Sequence, residues 1–438
     1  MTAIGSPPMI EQDTIAHFLY RGSAASVSVP GDANGWNPNS FPMTRISGTT
    51  LWYHTHVFEP DARLDYKFVL DGSSWILDPR NPHQVSGGFG PNSELRMPAY
   101  LPAPEIQYFP AIPHGTLRDT VFHSALLGNS RTVRIYTPPG YLSSSDSLPV
   151  VFVHDGLEYV SLAQMNNVID HLISQNRIRP IIAVFIPPVN RTEEYAGSQM
   201  AAFSSFLVND IVPYIDLRYR VRHDPEDRAT LGASNGGNIS LWLGFHYPDV
   251  FGNIAAQSSN IVGSLSTGFG QSSPLNLKIY MDLGTYDIAE LIPLVHNFIP
   301  ILQSKGYAFQ YQEYHEGHSW GNWRAHVDNA LEYFFPAAPT SVGGDESGSP
   351  EPFALEQNYP NPYNPITTMS FVISNSSLVT LKVYNTLGQE VATVIDHHLV
   401  EKGRQEVKFD GSILGSGVYF YRLESGRATA TRKMLIVK

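Results

Sequence analysis

Cysteine is absent from the 438 residues, so disulfide staples, thiol nucleophiles and thiolate metal sites are all excluded. No apolar run approaches the ~18 residues that a membrane-spanning helix needs. Basic residues are few, with 28 Lys plus Arg against 40 Asp plus Glu and a formal charge of −12. Such an acidic surface argues against non-specific binding to nucleic acid or anionic membrane. The first residues, MTAIGSPPMIEQDT, carry neither a basic nor an apolar signal-peptide region. Abundant instead are 23 Tyr, 22 Phe, 6 Trp, 35 Gly and 33 Pro, a composition suited to turn-rich β modules and to surfaces that stack on sugars or aryl groups. At ~150 residues per domain the length suggests about three domains.

The chain is organised around RATLGASNGG, Arg228 to Gly237. A strand-like run ends at Leu231, a helix-compatible run follows from Asn238 to Phe245, and between them stands G-x-S-x-G with Ser234 at its centre. A nucleophile elbow needs residues without bulk two before and two after the serine, because the turn is strained and strand and helix pass close together; Gly232 and Gly236 meet that need. A purely structural Gly-rich turn is the plainer reading. Around it, apolar runs (Leu148–His154, Pro180–Pro187, Leu277–Met281, Phe309–Tyr314) alternate with helical spacings (Val160–Ile178, Phe203–Arg218, Ile288–Lys305). That alternation predicts a mostly parallel sheet with helices on both faces over residues 105–335.

In such a sheet the working residues lie at the carboxyl ends of the strands, and after an elbow serine an acid and then a histidine are expected. Asp287, closing GTYD, and His318, in HEGHSWGNW, stand in that order. A serine hydroxyl needs a base to take its proton, and a buried carboxylate fixes the histidine tautomer. Asp282 competes as acid but lies nearer the strand, and His315 competes as base. The oxyanion hole is expected from the backbone N–H of Asn235 together with Gly156 or Leu157 in the loop HDGL. His154, without paired ligands at useful spacing, reads as a satisfied strand-end histidine. The chemistry requires no metal and no cofactor.

The flanks read as small β modules. Before the sheet, GDANGW, YKFVLDG and WILDP resemble the early-set immunoglobulin-like domains of the family 48 carbohydrate-binding modules. That resemblance implies glycan contacts from Trp36, Lys67 and Trp75, although the same tryptophans could fill a sandwich core. A Pro-rich connector from Met97 to Pro113 follows. VFVHDGLEYV, PPVNRTEEY, LGASNGG, GTYD and GHSWGNWR together resemble the esterase D group of α/β-hydrolases, which includes enterochelin esterases and the feruloyl and acetylxylan esterases of carbohydrate esterase family one. It implies Ser234 as nucleophile, Asp287 as acid and His318 as base, with Arg191, Glu194 and Tyr195 bordering the pocket. Arg191 and Glu194 read equally as a surface ion pair. Trp320 is expected to stack an aryl acyl group, and Trp323 fits core spacing.

A Pro/Gly/Ser-rich stretch, 336–352, reads as a flexible linker. Beyond it LEQNYPNPYNPIT, VYNTLGQEV, GVYFYRL and RKMLIVK resemble the C-terminal sorting domain of the type IX secretion system. The expected architecture is therefore a sandwich over 1–104, an α/β-hydrolase over 105–335 and a second β-sandwich over 353–438. Export by the type IX machinery implies a secreted or surface-attached protein whose N-terminal signal has been removed. The expected activity is a serine carboxylic-ester hydrolase acting on feruloyl or acetyl esters of plant polysaccharide. Alternatives are a catecholate siderophore esterase, another aryl or polyester esterase, or a glycan-binding surface protein with an inactive hydrolase fold.

Overall fold

A computed structural model describes residues 8–337, 354–373, 377–386, 389–401, 403–425 and 428–437. The chain forms two compact units, Met1–Thr340 and Ser341–Lys438. Most of the expected linker, 338–352, lies outside the described residues.

An eleven-stranded sheet runs through the first unit. Its strands in chain order are β1 (Arg63–Tyr66), β2 (Gln84–Gly87), β3 (Gly90–Arg96), β4 (Thr116–Ser124), β5 (Asn129–Thr137), β6 (Val150–His154), β7 (Ile182–Ile186), β8 (Arg228–Ala233), β9 (Asn253–Gln257), β10 (Lys278–Tyr286) and β11 (Ala308–Gly317). Across the sheet the order is β4-β5-β7-β6-β8-β9-β10-β11-β1-β3-β2. The six strands from β7 to β11 are parallel, and antiparallel pairs close both ends. From β6 the chain moves one way to β7 and then returns past it to β8, so the order reverses between β6 and β8. Such a switch point leaves a crevice at the carboxyl ends.

Nine α-helices flank the sheet among the described residues: α1 (Gly156–Ser161), α2 (Met165–Ser174), α3 (Arg191–Ala196), α4 (Met200–Phe206), α5 (Val212–Arg218), α6 (Asn235–His246), α7 (Gly263–Gln271), α8 (Ile292–Lys305) and α9 (Trp320–Phe334). Val150 and Phe152 of β6 pack with residues of α3 to α8, while Val151 and Val153 pack with α1, α2 and α9. Burial on both faces is why VVFVH and IAVFI read as unbroken apolar runs rather than alternations.

Two expected helices are subdivided, and so is the extended run Leu64–Leu70. The run Val160–Ile178 becomes α1 and α2, separated at Gln164 with φ 53°. Leu207–Ile211 forms a π-turn between α4 and α5, because Pro213 has no N–H to donate back into the helix and its ring crowds the preceding turn. Leu64–Leu70 breaks at Lys67, whose N–H donates to Pro30 O at 2.9 Å. Its first half joins the large sheet as β1, and Phe68–Leu70 pairs with Val27–Ser28 and Ser74–Ile76. With a four-stranded sheet built on Ile15–Arg21 and Leu51–Val57, these strands enclose a core of Phe18, Val27, Trp52, Phe58, Leu64 and Phe68. This is the expected N-terminal sandwich, and β1 pairs with β11 through Arg63 and Glu316.

The second unit is a β-sandwich by itself. A three-stranded and a four-stranded sheet face each other across Met369, Phe371, Val379, Leu381, Tyr421, Leu423, Met434 and Ile436. Its edge strand Glu390–Val400 has no buried residue and carries Asp396-His397-His398.

Candidate active site

Ser234 stands between β8 and α6 with φ 57° and ψ −123°, a conformation that costs a non-glycine residue roughly 1–3 kcal/mol. The surroundings enforce it. Ser234 N–H donates to Gln257 O at 2.8 Å and its carbonyl accepts from Gly237, Asn238 and Asn260 at 3.0, 3.1 and 3.2 Å. A Cβ on Gly232 would lie 2.5 Å from the Gly236 carbonyl, so the first glycine of the motif is required by strand-to-helix contact. The serine is partly exposed at the carboxyl end of β8, beside the β6/β8 switch point.

Asp287 and His318 come together from the ends of β10 and β11. His318 Nδ1 lies 2.7 Å from Asp287 Oδ1, and that oxygen also accepts the Ile288 N–H at 2.7 Å. The Asp287 side chain is fully buried while His318 retains 18 % exposure, so the carboxylate is shielded and the imidazole keeps access to solvent. With Nδ1 committed to Asp287, Nε2 is the ring nitrogen left for another partner. Trp323 packs edge-on against the imidazole at 5.0 Å and 89°. The competing residues are engaged elsewhere. Asp282 accepts from Gln257 Nε2 at 2.9 Å, and burial pushes its carboxyl up to about 6. His315 faces Asp61 at 2.6 Å on the surface.

Gly156 and Leu157 open α1, and Asn235 opens α6. The first N–H groups of a helix have no partner within it, so these amides can face a developing oxyanion. Gly156 has no room for a side chain, because a Cβ would run into the backbone of Phe185 and Ile186. Asp155, just before it, takes a left-handed conformation at φ 53°. Its carboxylate receives a two-pronged pair from Arg191, 2.8 Å from Nε and 2.7 Å from a terminal nitrogen, and its N–H donates to the Tyr195 hydroxyl at 3.1 Å. The same Arg191 nitrogen reaches Ala233 O at 3.2 Å, next to Ser234. Asn235 is pinned by Asn260, whose amide donates to its side-chain oxygen at 2.7 Å.

Three expected pocket residues need correction. Glu194 is fully buried and meets Arg131 with both oxygens at 2.7 and 3.0 Å. It is a structural anchor, and Arg191 and Glu194 do not form the expected surface pair with each other. Tyr195 is also fully buried and acts on Asp155. Trp320 is 8 % exposed, wedged between Tyr159 at 5.1 Å and Trp323 at 5.0 Å, so it belongs to the core. His154 is buried with Nε2 2.7 Å from Thr230 Oγ1, and burial lowers it to about 3, which keeps it neutral. On the sandwich, Trp36 and Trp75 stack at 6.4 Å and 28° with Trp75 43 % exposed, while Lys67 sits at the β1 break. Asp155, Asn260 and Arg131 escaped the sequence reading. Only the acid inside HDGL gave a local signal, since the other two act across long separations.

Residues 124–334 match a family model described as "Putative esterase", and residues 357–438 match that of the secretion system C-terminal sorting domain. The Uncharacterized protein YbbA of Bacillus subtilis is 31% identical over 174 residues, covering 36% of this chain and 68% of that protein. An endo-1,4-beta-xylanase/feruloyl esterase of Xylanibacter ruminicola is 23% identical over 261 residues, 56% of this chain and 35% of that protein. Among solved structures, the enterobactin esterase FES from Shigella flexneri superposes with a TM-score of 0.64 at 21% identity, covering 74% of this chain and 94% of that one. That likeness establishes a shared fold.

Proposed function

Because the chain belongs to the esterase family and is a carboxylic-ester hydrolase with a secretion sorting domain that marks a secreted or cell-surface protein, we propose that it releases feruloyl or acetyl groups from plant polysaccharide through Ser234, His318 and Asp287. The supporting observation is the 2.7 Å Asp287–His318 pair, which lies just past the carboxyl ends of β10 and β11 of the sheet whose β8 leads into the strained Ser234 elbow. His318 Nε2 takes the Ser234 proton as Oγ attacks the ester carbonyl, and the oxyanion is met by the N–H of Asn235 and of Gly156 or Leu157. His318 then gives that proton to the departing alcohol. Water, deprotonated by the same nitrogen, attacks the acyl-serine, and the acid leaves as Ser234 recovers its proton. Asp287 holds the tautomer and stabilises the imidazolium.

Polysaccharide is favoured by export, by the stacked Trp36–Trp75 pair on the front sandwich and by the feruloyl esterase relative. A siderophore ester is the second reading, favoured by the fold shared with the enterobactin esterase over 74% of this chain. A ferric catecholate is strongly anionic and calls for uncompensated positive charge beside the serine. Arg191, the cation close to Ala233, is neutralised by Asp155, which weighs against that reading. The test is product release from feruloylated arabinoxylan, acetylated xylan and a catecholate siderophore, with Ser234→Ala alongside. Ferulate or acetate released only by the intact serine supports the proposal. Cleavage of the siderophore alone replaces it with the second reading, and equal activity of Ser234→Ala overturns the site.

A further inference from the structure

We infer that Arg63, supplied by the N-terminal sandwich, is a positioning residue that fixes the His318 loop through Ser319, which makes the sandwich a working part of the hydrolase site. This rests on the reading of Asp287 and His318 as the acid and base. Arg63 is fully buried where β1 meets β11. Its Nε donates to Glu94 at 2.6 Å, one terminal nitrogen pairs with Asp65 at 2.6 Å, and the other donates to Ser319 Oγ at 3.0 Å.

Ser319 follows His318 directly, and its Oγ also caps α9 by accepting the Asn322 N–H at 3.4 Å. Gly321 lies flat against the guanidinium, because a Cβ there would overlap its nitrogens and central carbon. On the other side of His318, a Cβ on Gly317 would overlap the Asp32 carboxyl, and Gly317 O accepts from the Asn322 amide at 3.1 Å. His318 is therefore carried between two residues that each abut the sandwich. The Asp287 loop is tied in the same way, with the Tyr286 hydroxyl donating to Glu59 at 2.6 Å and its ring 6.1 Å from Phe58.

A buried ion pair is by itself a weak stabiliser, since apolar residues of the same volume often serve as well. What a guanidinium adds is a rigid planar fork of donors, here setting where Ser319 and Gly321 stand. Misplacing a catalytic group by about 1 Å costs on the order of 10²-fold in rate.

The experiment uses the full chain, a 4-nitrophenyl ester as substrate, and the downfield Nδ1 proton resonance of His318 as a second readout. Arg63→Lys keeps a cation between Glu94 and Asp65 but gives up the fork. Ser319→Ala removes the acceptor, and Ser319→Thr keeps it. Expected for Arg63→Lys and Ser319→Ala is a fall in kcat of about 10- to 100-fold with KM within about twofold, and a displaced or broadened His318 resonance. The double variant should be no slower than Arg63→Lys, and Ser319→Thr should retain both readouts. If folded Arg63→Lys and Ser319→Ala keep the wild-type kcat and resonance, or change only KM, the inference is overturned. Should Arg63→Lys fail to fold, Ser319→Ala decides by the same two readouts. An unreactive wild type, or an active Ser234→Ala, would instead sink the esterase site, while the resonance still reports whether Arg63 holds His318.

Discussion

Substituting Gly156 by alanine tests the oxyanion loop directly. The new Cβ would meet Phe185 Cα, Phe185 C and Ile186 N well inside van der Waals contact. Those atoms belong to β7, which is hydrogen-bonded to β5 on one side and β6 on the other, so the strand cannot give way. The loop must rise instead, against Asp155, which Arg191 and Tyr195 hold in place. Overpacking of this kind costs roughly 1–3 kcal/mol, and loss of an oxyanion donor costs about 10²- to 10³-fold in kcat. We expect Gly156→Ala to remain folded with a lower melting temperature and to lose about two orders of magnitude in kcat. Gly263→Ala is the control, since nothing lies within 4 Å of a Cβ there, and it should be neutral or slightly stabilising. The assay is steady-state hydrolysis of a chromogenic ester together with the rate of Ser234 labelling by an organophosphate. A Gly156→Ala protein with wild-type kcat and labelling rate would refute the placement of the oxyanion hole.

Three further outcomes are expected. Asp287→Asn keeps the volume but loses the charge facing His318 at 2.7 Å, and kcat should fall by up to ~10⁴-fold; a loss below tenfold would point to another acid. Glu194→Gln leaves Arg131 buried without a counter-charge and should cost about 3–5 kcal/mol in chemical denaturation with KM of the folded fraction unchanged. A raised KM would restore Glu194 to the pocket. Asp282, raised by burial from 3.8 to about 6, contributes stability that is complete below its unfolded value and is lost as pH rises through about 6. Asp282→Asn should therefore gain on the wild type between about pH 4 and pH 7, by on the order of 3 kcal/mol, and parallel pH–stability curves would contradict this.

The sequence by itself determined the elements whose signal is local. Glycines two residues either side of Ser234 dictate a tight strand-to-helix turn, continuous apolar runs dictate strands buried on both faces, and the chain order Ser, Asp, His follows from where those strands end. The sorting domain was legible for the same reason, as short motifs in a contiguous stretch. Tertiary structure alone decided which of the candidate side chains are turned into the protein. Arg191, Glu194 and Tyr195 are adjacent in one segment, yet Arg191 turns to Asp155, Glu194 to Arg131 and Tyr195 to the Asp155 amide, because each satisfies a buried charge or N–H far away in sequence. Helical spacing could not separate Trp320 from the pocket, since its burial depends on Tyr159 and Trp323 closing over it. The reach of Arg63 to Ser319 spans 256 residues. No periodicity carries such a pairing; it exists only because β1 adds to the edge of a sheet whose other strands come later in the chain.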